Sequence, residues 1–500
     1  MLISKVLANI ATIKSYSNDV EINNITDDSR KVVKGDLFVA VCGVTSDGHN
    51  FIERAVKNGA VAVVVNRSHH VPCLADYSHV QVIEVDDSAK ALGEIASNFY
   101  DHPSQKLYLV GVTGTNGKTT TATLLYNLFL LLGFKTGLLS TIRNYICQTP
   151  IETINTTPNV LETNRLLAEM VTCGCSYCFM EVSSHATIQQ RIAGLHFAGA
   201  IFTNLTQDHL DYHETMDNYR YAKKLFFDHL PPTAFAITNL DDRNGMFMLQ
   251  NTKATKITYS TRSLADFKTK IIENTFDGMT LTMEVRTDGF RSGVYEMVTP
   301  FAGSFNAQNL TAVFGAAALL CKGLNIDNQT ILTALSGLRP VSGRFEMLHI
   351  GGIAAIVDYA HTPDALKNVL STINDIKGAD AQVITVVGCG GDRDKTKRPI
   401  MAQIAANESD TIVLTSDNPR TENPQDILDD MLGGLNKQQT ERTIVIPDRR
   451  QAIKTACKLA KRGDVVLIAG KGHENYQIIG KNKHHFDDKE EVINYFEQSK

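Results

Sequence analysis

A glycine-rich segment between an apolar strand pattern and a helical pattern is the feature that most restricts how this chain can fold. Residues 111–120 read GVTGTNGKTT, after the apolar run 107–112 and before the helical pattern 121–132. Glycines permit the tight turn that aims backbone N–H groups and a helix N-terminus at phosphate oxygens. Lys118 would neutralise the terminal phosphates, and Thr119 is placed to hold Mg²⁺. We therefore predict a phosphate-binding loop made of Gly114, Thr115, Asn116, Gly117, Lys118, Thr119 and Thr120.

The loop does not by itself identify a reaction. It departs from the pattern G-x-x-x-x-G-K-[ST] by one position, because the first glycine is Gly111 rather than residue 112. Kinases, nucleotide switches, motors and ligases all use such loops, so the reaction has to be inferred from other residues.

Apolar runs along the chain predict an α/β protein of three domains, at residues 1–103, 104–338 and 339–500. Breaks at Asp101-His102-Pro103-Ser104 and at Arg339-Pro340 suggest the two boundaries. The central domain should contain a mostly parallel sheet with an insertion of short antiparallel strands between about 254 and 300. Five strand patterns in the last domain predict a Rossmann-like sheet, at residues 353–358, 383–387, 411–415, 443–446 and 465–468.

The composition of the chain limits the cellular compartment and the kinds of binding partner that we expect. The formal net charge of -5 gives no broad cationic surface, which argues against nucleic acid as a partner. Nine scattered cysteines suggest a reducing compartment rather than a disulfide framework. The densest apolar run, 124–134, is too short to cross a bilayer, and the N-terminus has no clear signal-peptide pattern. We therefore expect a cytoplasmic protein with no membrane insertion.

Further motifs follow the loop in an order that resembles the Mur ligase family. The loop variant at residues 114–120 is similar to the ATP loop of that family. The later motifs lie at residues 156–157, 180–185, 204–213, 219–223, 305–309, 342–346 and 358–363. The resemblance covers essentially the whole chain. It implies a UDP-sugar-binding N-terminal domain, a central ATPase domain and a C-terminal amino-acid-binding domain.

The resemblance also implies the chemistry and the residues that serve it. A substrate carboxylate attacks the γ-phosphoryl group of ATP, and an amine then displaces phosphate from the acyl phosphate. Lys118, Glu181, His209 and Lys223 are the implied catalytic residues, with Thr119 and Glu181 serving one Mg²⁺ and His209 another. Lys223 matches the lysine that the family carbamylates into a magnesium ligand; the adjacent Lys224 leaves this assignment open by one residue, although the Tyr-x-x-Ala-Lys spacing favours Lys223. Nucleotide contacts are implied for Asn306, Asn309, Arg344 and Asp358, and contacts to the muramoyl dipeptide for Thr156, Thr157, Ser183, Gln189 and Arg191.

Within the family, two regions resemble the members that add meso-diaminopimelate to UDP-N-acetylmuramoyl-L-alanyl-D-glutamate. Asp28-Ser29-Arg30 is similar to their uridine-side segment, and Asp417-Asn418-Pro419-Arg420 is similar to their amino-acid motif. Meso-diaminopimelate has a second amino-carboxylate end, and the fork-shaped guanidinium of Arg393 or Arg420 can bind that carboxylate through two hydrogen bonds. Glu474, after Gly470, can pair with the distal ammonium. We expect the enzyme to act as a monomer.

Other interpretations stay open at this point. A sister ligase could add L-lysine or another amino acid, or could resemble folylpolyglutamate synthetase. A nucleotide switch that binds partners without ligation would use the loop but would leave the third domain unexplained. Arg420 could instead cap a helix or form a surface ion pair.

Two small clusters have simpler explanations than a binding site. Cys173, Cys175 and Cys178 lack a fourth ligand at metal-like spacing, so we interpret them as small core residues. His484 and His485 are expected to lie in a solvated loop.

Overall fold

The computed structural model describes residues 1–12, 18–43, 46–68, 79–286 and 292–498. The first part of the chain forms a parallel sheet of four strands in the order β1-β2-β3-β4. Its elements are α1 (Ile3–Val6), β1 (Ile25–Thr26), β2 (Leu37–Val39), α2 (Ile52–Lys57), β3 (Ala62–Asn66), β4 (Gln81–Val85) and α3 (Ser88–Phe99). Apolar side chains are buried on both faces of this sheet, as expected when helices cover a parallel sheet.

An eleven-stranded sheet follows. The elements of its first half are β5 (Tyr108–Thr113), α4 (Lys118–Leu131), β6 (Thr136–Leu139), β7 (Asn144–Ile146), β8 (Thr149–Ile151), α5 (Val160–Thr172), β9 (Tyr177–Glu181), α6 (Ser184–Ile188) and β10 (Gly199–Phe202). Those of its second half are α7 (Leu210–His213), α8 (Met216–Asp228), β11 (Phe235–Asn239), α9 (Gly245–Met248), β12 (Thr255–Ser260), β13 (Phe267–Thr275), β14 (Gly278–Val285), β15 (Gly293–Thr299), α10 (Ser304–Leu320) and α11 (Asn328–Ser336).

The strand order of this sheet is β15-β14-β13-β12-β11-β10-β5-β9-β6-β7-β8. Its middle is parallel, whereas β13, β14 and β15 pair antiparallel at one edge. The prediction of antiparallel strands after residue 254 is therefore confirmed for β13 to β15 but wrong for β12, which pairs parallel with β11. An alternating apolar pattern does not reveal the direction of the neighbouring strand.

The last part of the chain forms a six-stranded sheet in the order β16-β17-β21-β18-β19-β20, together with a separate two-stranded hairpin. Its elements are β16 (Glu346–Ile350), β17 (Ile353–Asp358), α12 (Pro363–Ile376), β18 (Val383–Val387), α13 (Lys397–Glu408), β19 (Thr411–Leu414), α14 (Pro424–Leu432), α15 (Lys437–Glu441), β20 (Thr443–Val445), α16 (Arg449–Leu459), β21 (Val465–Ala469), β22 (Tyr476–Ile479), β23 (Asn482–His485) and α17 (Asp488–Gln498). The five predicted strands of a parallel Rossmann-like sheet are confirmed.

Three further differences from the sequence predictions concern local structure. The antiparallel edge strand β16 was not predicted. His484 and His485 are exposed as expected, but they belong to strand β23 of the hairpin rather than to a loop. Cys175 and Cys178 are buried, whereas Cys173 is exposed because it follows the last turn of α5, so its assignment to the core was wrong. Among the described residues, no helix combines the length and the apolar content needed to cross a membrane.

The fold brings the ends of several strands to one place. Strands β5, β9, β10 and β11 are neighbours and run in the same direction, so their carboxyl ends lie along one edge of the sheet. The phosphate-binding loop follows β5, and Glu181 is the last residue of β9. Helix α4 packs on the sheet beside α10, and its buried side chains anchor the loop that precedes it.

Candidate active site

The predicted phosphate-binding loop has the geometry that such a loop requires. Gly114 and Gly117 adopt φ values of +153° and +87°, which L side chains rarely reach. A Cβ at Gly117 would also lie 2.6 Å from the side-chain oxygen of Asn309. Lys118 Nζ donates hydrogen bonds to the carbonyl oxygens of Gly114 and Thr115, at 2.9 and 2.8 Å. The lysine therefore bends back over the loop, at the first residue of α4.

The loop opens into a cavity of about 380 Å³ between the central and the last sheet. Of the predicted nucleotide residues, all line this cavity except Gly114, whose carbonyl group accepts hydrogen bonds beneath it. The cavity-lining members of the prediction are Thr115, Asn116, Gly117, Lys118, Thr119, Thr120, Asn306, Asn309, Arg344 and Asp358. Glu181, His209, Lys223, Thr156 and Ser183 line the same cavity.

Thr119, Glu181 and Arg344 form a connected group at the base of the cavity. Thr119 Oγ1 donates to Glu181 Oε2 at 3.0 Å and accepts from Arg344 Nη2 at 3.2 Å. The second carboxylate oxygen of Glu181 accepts from the backbone N–H of Thr141 at 2.7 Å. Glu181 is fully buried, so these contacts fix its carboxylate beside the phosphate-binding loop. The guanidinium of Arg344 lies over the ring of Tyr359, with 4.4 Å between its central carbon and the ring centroid.

The two adjacent lysines of α8 have different surroundings. Lys223 is buried, and its Nζ donates to the carbonyl oxygen of Gly114 at 2.8 Å and lies 4.6 Å from the centre of the Tyr219 ring. Burial, helped by the positive charge of Lys118, lowers the pKa of Lys223 well below its ordinary value. Lys224 instead pairs with Asp228 at 2.6 Å. Only Lys223 of the two lines the cavity.

His209 lies at the mouth of the cavity in the left-handed region, with φ +54°. Its Nε2 is 3.3 Å from Asp208 Oδ2, and its ring lies edge-on to that of His185, with 4.9 Å between centroids. Burial lowers the pKa of His209, and the carboxylate of Asp208 only partly opposes that effect. The imidazole is therefore neutral near pH 7 and has a lone pair for a cation.

The remaining residues predicted to contact the nucleotide are Asn306, Asn309 and Asp358, which also line the cavity. Asn306 donates to the carbonyl oxygen of Ala302 at 2.8 Å, and Asn309 donates to the side-chain oxygen of Asn306 at 3.4 Å. Asp358 accepts from the backbone N–H of Phe345 at 2.6 Å. Burial raises the pKa of Asp358 to about 6, although Arg344 acts in the opposite direction.

Only some of the residues predicted to hold the muramoyl dipeptide line the cavity: Thr156 and Ser183 do, whereas Thr157, Gln189 and Arg191 do not. Thr157 Oγ1 donates to the carbonyl oxygen of Glu181 at 2.8 Å, and Arg191 donates to the carbonyl oxygen of Thr157 at 3.1 Å and to the side chain of Gln189 at 2.6 Å. These three residues form one hydrogen-bonded chain beside the cavity without lining it. Ser29 is buried in the first part of the chain, where its carbonyl group accepts from Asn58.

The residues predicted to bind the amino acid form a second cluster, which we call the acceptor cluster: Arg393, Asp417, Asn418, Pro419, Arg420, Gly470 and Glu474. The two arginines flank Gly390, because a Cβ there would lie 2.9 Å from Arg420 Nη1 and 3.8 Å from Arg393 Cγ. Arg420 Nη1 also donates to the carbonyl oxygen of Gly391 at 2.6 Å, so the arginine is not used as a helix cap.

The acidic side of the acceptor cluster is held together by a lysine. Glu474 Oε2 accepts from Asn418 Nδ2 at 2.8 Å and from Lys471 Nζ at 3.3 Å. Lys471 is fully buried and also approaches Asp417, at 3.8 Å. A Cβ on Gly470 would lie 2.7 Å from Asp417, which explains the need for glycine there. Burial and the charge of Asp417 raise the pKa of Glu474.

The acceptor cluster meets the cavity through two aromatic rings. Tyr359 lines the cavity, and its ring centroid lies 5.0 Å from that of His473, which precedes Glu474 in the chain. The acceptor cluster is therefore adjacent to the cavity.

Several residues of the site were not assigned a role from the sequence. Lys471 is one of them, because no local pattern distinguishes a buried lysine from a surface one. The cavity also takes side chains from residues named only within a motif or not at all: Thr141, Asn204, Asp208, Asp241, Tyr359, His361 and Asp364. Their positions after strand ends were the available signal.

Three family models match the chain in the order in which the three sheets occur. They are the Mur ligase family catalytic domain at residues 21–100, the Mur ligase middle domain at 112–317, and the Mur ligase glutamate ligase domain at 343–472.

Whole proteins match over nearly the full length. The chain is 53% identical over 499 residues to a UDP-N-acetylmuramoyl-L-alanyl-D-glutamate--2,6-diaminopimelate ligase from Bacteroides fragilis, with 99% of each chain covered. It is 54% identical over 481 residues to the protein of the same name from Parabacteroides distasonis, with 96% of each covered. A solved structure of a ligase of that name is 32% identical, with a TM-score of 0.67 over 96% of this chain and 95% of the other. The chain belongs to the Mur ligase family.

Proposed function

We propose that this chain is an ATP-dependent, ADP-forming ligase that adds meso-diaminopimelate to the D-glutamate of UDP-N-acetylmuramoyl-L-alanyl-D-glutamate, a step in peptidoglycan precursor synthesis. The observation that carries the proposal is the acceptor cluster, in which Arg393 and Arg420 flank Gly390. Asn418, whose carbonyl oxygen also lies beside Gly390, donates to Glu474. This arrangement complements the distal carboxylate and ammonium of meso-diaminopimelate. At its distal end L-lysine has only an ammonium group, so it would leave both arginines without a carboxylate there.

The reaction proceeds in two steps. The free carboxylate of the peptidyl nucleotide attacks the γ-phosphorus of ATP, and ADP leaves. The amine of the amino acid then attacks the carbonyl carbon of the acyl phosphate, and inorganic phosphate leaves with the former carboxylate oxygen. Lys118 and Arg344 supply fixed positive charge where negative charge builds up on the transferred group. The nucleotide lies against the phosphate-binding loop, Asn306, Asn309 and Asp358, and the peptide end lies near Thr156 and Ser183.

The residues at the base of the cavity suit magnesium. Magnesium prefers oxygen ligands and usually combines one or two protein carboxylates with substrate phosphates. Thr119 and Glu181 provide such oxygens, and His209 would serve a second ion. Among the described residues, no group of three or more His, Cys, Asp and Glu side chains is poised around a single point. This supports binding together with the nucleotide rather than in a complete protein cage. When bound, magnesium neutralises phosphate charge.

Lys223 supplies the further ligand if its side chain is carbamylated. Only a neutral amine adds to carbon dioxide, and burial lowers the pKa of Lys223 toward that neutral form. The resulting carbamate is negatively charged and resembles a carboxylate. Its oxygens would lie beneath the phosphate-binding loop, where Nζ of Lys223 now contacts Gly114.

In this proposal residues 1–103 bind the UDP-sugar, residues 104–338 bind ATP, and residues 339–500 bind the amino acid. Ser29 belongs to the domain that binds the uridine side of the substrate. The proposal includes action as a monomer. Because both ATP and nucleotide-linked precursors are cytoplasmic metabolites, the proposal includes a cytoplasmic location.

The decisive experiment supplies the purified protein with UDP-N-acetylmuramoyl-L-alanyl-D-glutamate, ATP and Mg²⁺, and with either meso-diaminopimelate or L-lysine. We expect ADP, phosphate and a peptidyl nucleotide lengthened by meso-diaminopimelate, identified by its mass. A lengthened product with lysine alone would replace the proposed acceptor. Failure to lengthen the nucleotide with either amino acid would overturn the proposed reaction.

A further inference from the structure

Arg398, near the start of α13, is a permanently charged side chain that is entirely buried. Its guanidinium forms two parallel hydrogen bonds with Glu422, from Nη1 to Oε2 at 3.0 Å and from Nη2 to Oε1 at 2.9 Å. Nη1 also contacts Asp430 at 2.8 Å. The hydrogen bonds from Arg398 hold the pKa of Glu422 down to about 2. Glu422 is partly exposed, and its Oε2 also lies 3.2 Å from Lys395 Nζ.

The pair reaches both loops that carry the arginines of the acceptor cluster. We call residues 390–394 and 417–422 the acceptor loops; the first contains Arg393 and the second contains Arg420. Arg398 Nη2 donates to the carbonyl oxygen of Gly390 at 3.3 Å. Glu422 accepts from the backbone N–H of Asp392 at 2.5 Å. Arg398 and Glu422 are therefore each hydrogen-bonded to the first acceptor loop, and Glu422 is also the last residue of the second.

The two acceptor loops are strained and bonded to each other. Asp392 and Arg420 both have left-handed backbones, with φ +53° and +52°, although neither is glycine. Thr421 Oγ1 donates to Asp392 Oδ1 at 2.8 Å, and Arg420 Nη1 donates to the carbonyl oxygen of Gly391 at 2.6 Å. Such strained conformations persist only where surrounding contacts enforce them, and they concentrate at ligand-binding sites.

We propose that Arg398 and Glu422 form a clamp that sets the spacing of the two acceptor loops and thereby the affinity for the distal carboxylate of the amino-acid substrate. This inference rests on the proposed function. Both are positioning residues, because they act through Arg393 and Arg420 rather than by contact with the substrate. A carboxylate bound by two guanidinium groups requires a fixed separation between them, which the clamp maintains.

The clamp predicts a selective kinetic effect. Glu422→Gln keeps the size of the side chain and an oxygen for the N–H of Asp392, but it removes the charge that pairs with Arg398 and with the exposed Lys395. We expect the KM for meso-diaminopimelate to rise about tenfold, equivalent to ~1.4 kcal/mol. The kcat, the KM for ATP and the KM for the peptidyl nucleotide should each change by less than about threefold, because their residues lie outside the acceptor loops.

Two arginine variants and a control complete the experiment. Arg398→Met should raise the KM for meso-diaminopimelate further, and Arg398→Lys should recover part of the loss, since lysine keeps the charge but not the fork. Arg450→Met is the matched control, because Arg450 lies in the same part of the chain and pairs with Glu491 at the surface. Its KM values should equal those of the wild type.

The outcomes separate the clamp from a merely structural ion pair. A structural role lowers the fraction of folded enzyme, and hence the apparent kcat, while leaving every KM unchanged; that result in Glu422→Gln overturns the clamp. If Arg398→Met does not fold, Glu422→Gln decides the question alone. The wild-type assay with meso-diaminopimelate tests the proposed function separately, since its failure does not depend on either variant.

Discussion

Lys223 and Gly114 are joined by a hydrogen bond of 2.8 Å, from the buried side-chain nitrogen of the lysine to the carbonyl group of the glycine that begins the phosphate-binding loop. This contact places Nζ of Lys223 against the phosphate-binding loop, so a new group on that nitrogen would lie beside the loop. Lys224, one residue later, is bonded to Asp228 instead. The two lysines therefore provide a test of carbamylation and its own control.

Lys223→Ala should lower kcat by about a hundredfold or more, a loss typical of removing one group that stabilises the transition state. Short carboxylic acids such as acetate should restore part of the rate, because they supply the missing carboxylate oxygens. Phosphate release in the presence of all three substrates measures both effects. Lys224→Met should keep the wild-type kcat, and an acid that fails to restore Lys223→Ala would argue against a carbamate. Growth in ¹³C-bicarbonate followed by NMR would detect the modification directly.

Arg420→Ala should reduce the selectivity for meso-diaminopimelate over L-lysine. The substitution leaves the distal carboxylate without one of its bidentate partners, so kcat/KM for meso-diaminopimelate should fall by about a hundredfold, or ~2.7 kcal/mol. The value for lysine should change little, because lysine has no carboxylate at that end. The two amino acids are compared in competition, with products weighed by mass spectrometry. An equal loss with both would assign Arg420 a structural role.

Features made by contiguous residues could be predicted from the sequence, whereas contacts between residues far apart in the chain could not. The phosphate-binding loop was predictable because the strand, the glycines and the helix that create it are contiguous. Lys471 was not assigned a role because its contact with Asn418 joins residues 53 positions apart. Arg398 has the same property, since an arginine in a helix usually lies at the surface and only tertiary contacts reveal its burial.

The strands likewise differ in whether their own residues reveal them. Buried parallel strands such as β18 and β21 were predictable because every residue in them is buried and apolar runs follow directly. Strand β16 is partly exposed along its length, so it has no such run. The parallel pairing of β12 depends on its neighbour β11 and could not be derived from its own residues.

Glu181→Gln should increase the concentration of Mg²⁺ needed for half-maximal activity. The single side-chain oxygen of glutamine can still accept from the N–H of Thr141, and its amide nitrogen can donate to the hydroxyl of Thr119, so the local structure should persist. The charge that attracts the cation is lost. We expect an increase of about tenfold to a hundredfold, as found when groups that support a metal site are removed. A magnesium titration of the initial rate provides the measurement. Glu162→Gln, at a surface pair with Arg165, serves as the control, and equal titration curves for all three proteins would exclude Glu181 as a ligand.

Asp358→Asn should make the chain more stable at neutral pH while weakening its use of ATP. Burial raises the pKa of Asp358 to about 6 from an ordinary value of 3.8, so between those values the folded chain holds a proton that the unfolded chain has released. Where the folded state binds more protons, the free energy of unfolding falls as pH rises. The charged carboxylate therefore costs about 3 kcal/mol at pH 7, and this cost disappears near pH 4.

Asparagine cannot ionise, yet its side-chain oxygen can still accept from the N–H of Phe345. The difference in stability between the variant and the wild type should therefore be small at pH 4, grow between pH 4 and 6, and stay constant above that range. Thermal unfolding at a series of pH values gives this difference, with the exposed Asp380→Asn as control. A difference that does not vary with pH would mean that the carboxyl group titrates as in the unfolded chain. The KM for ATP should rise in the same variant that gains stability above pH 4. Both results together would show that the charge of Asp358 destabilises the fold but contributes to nucleotide binding.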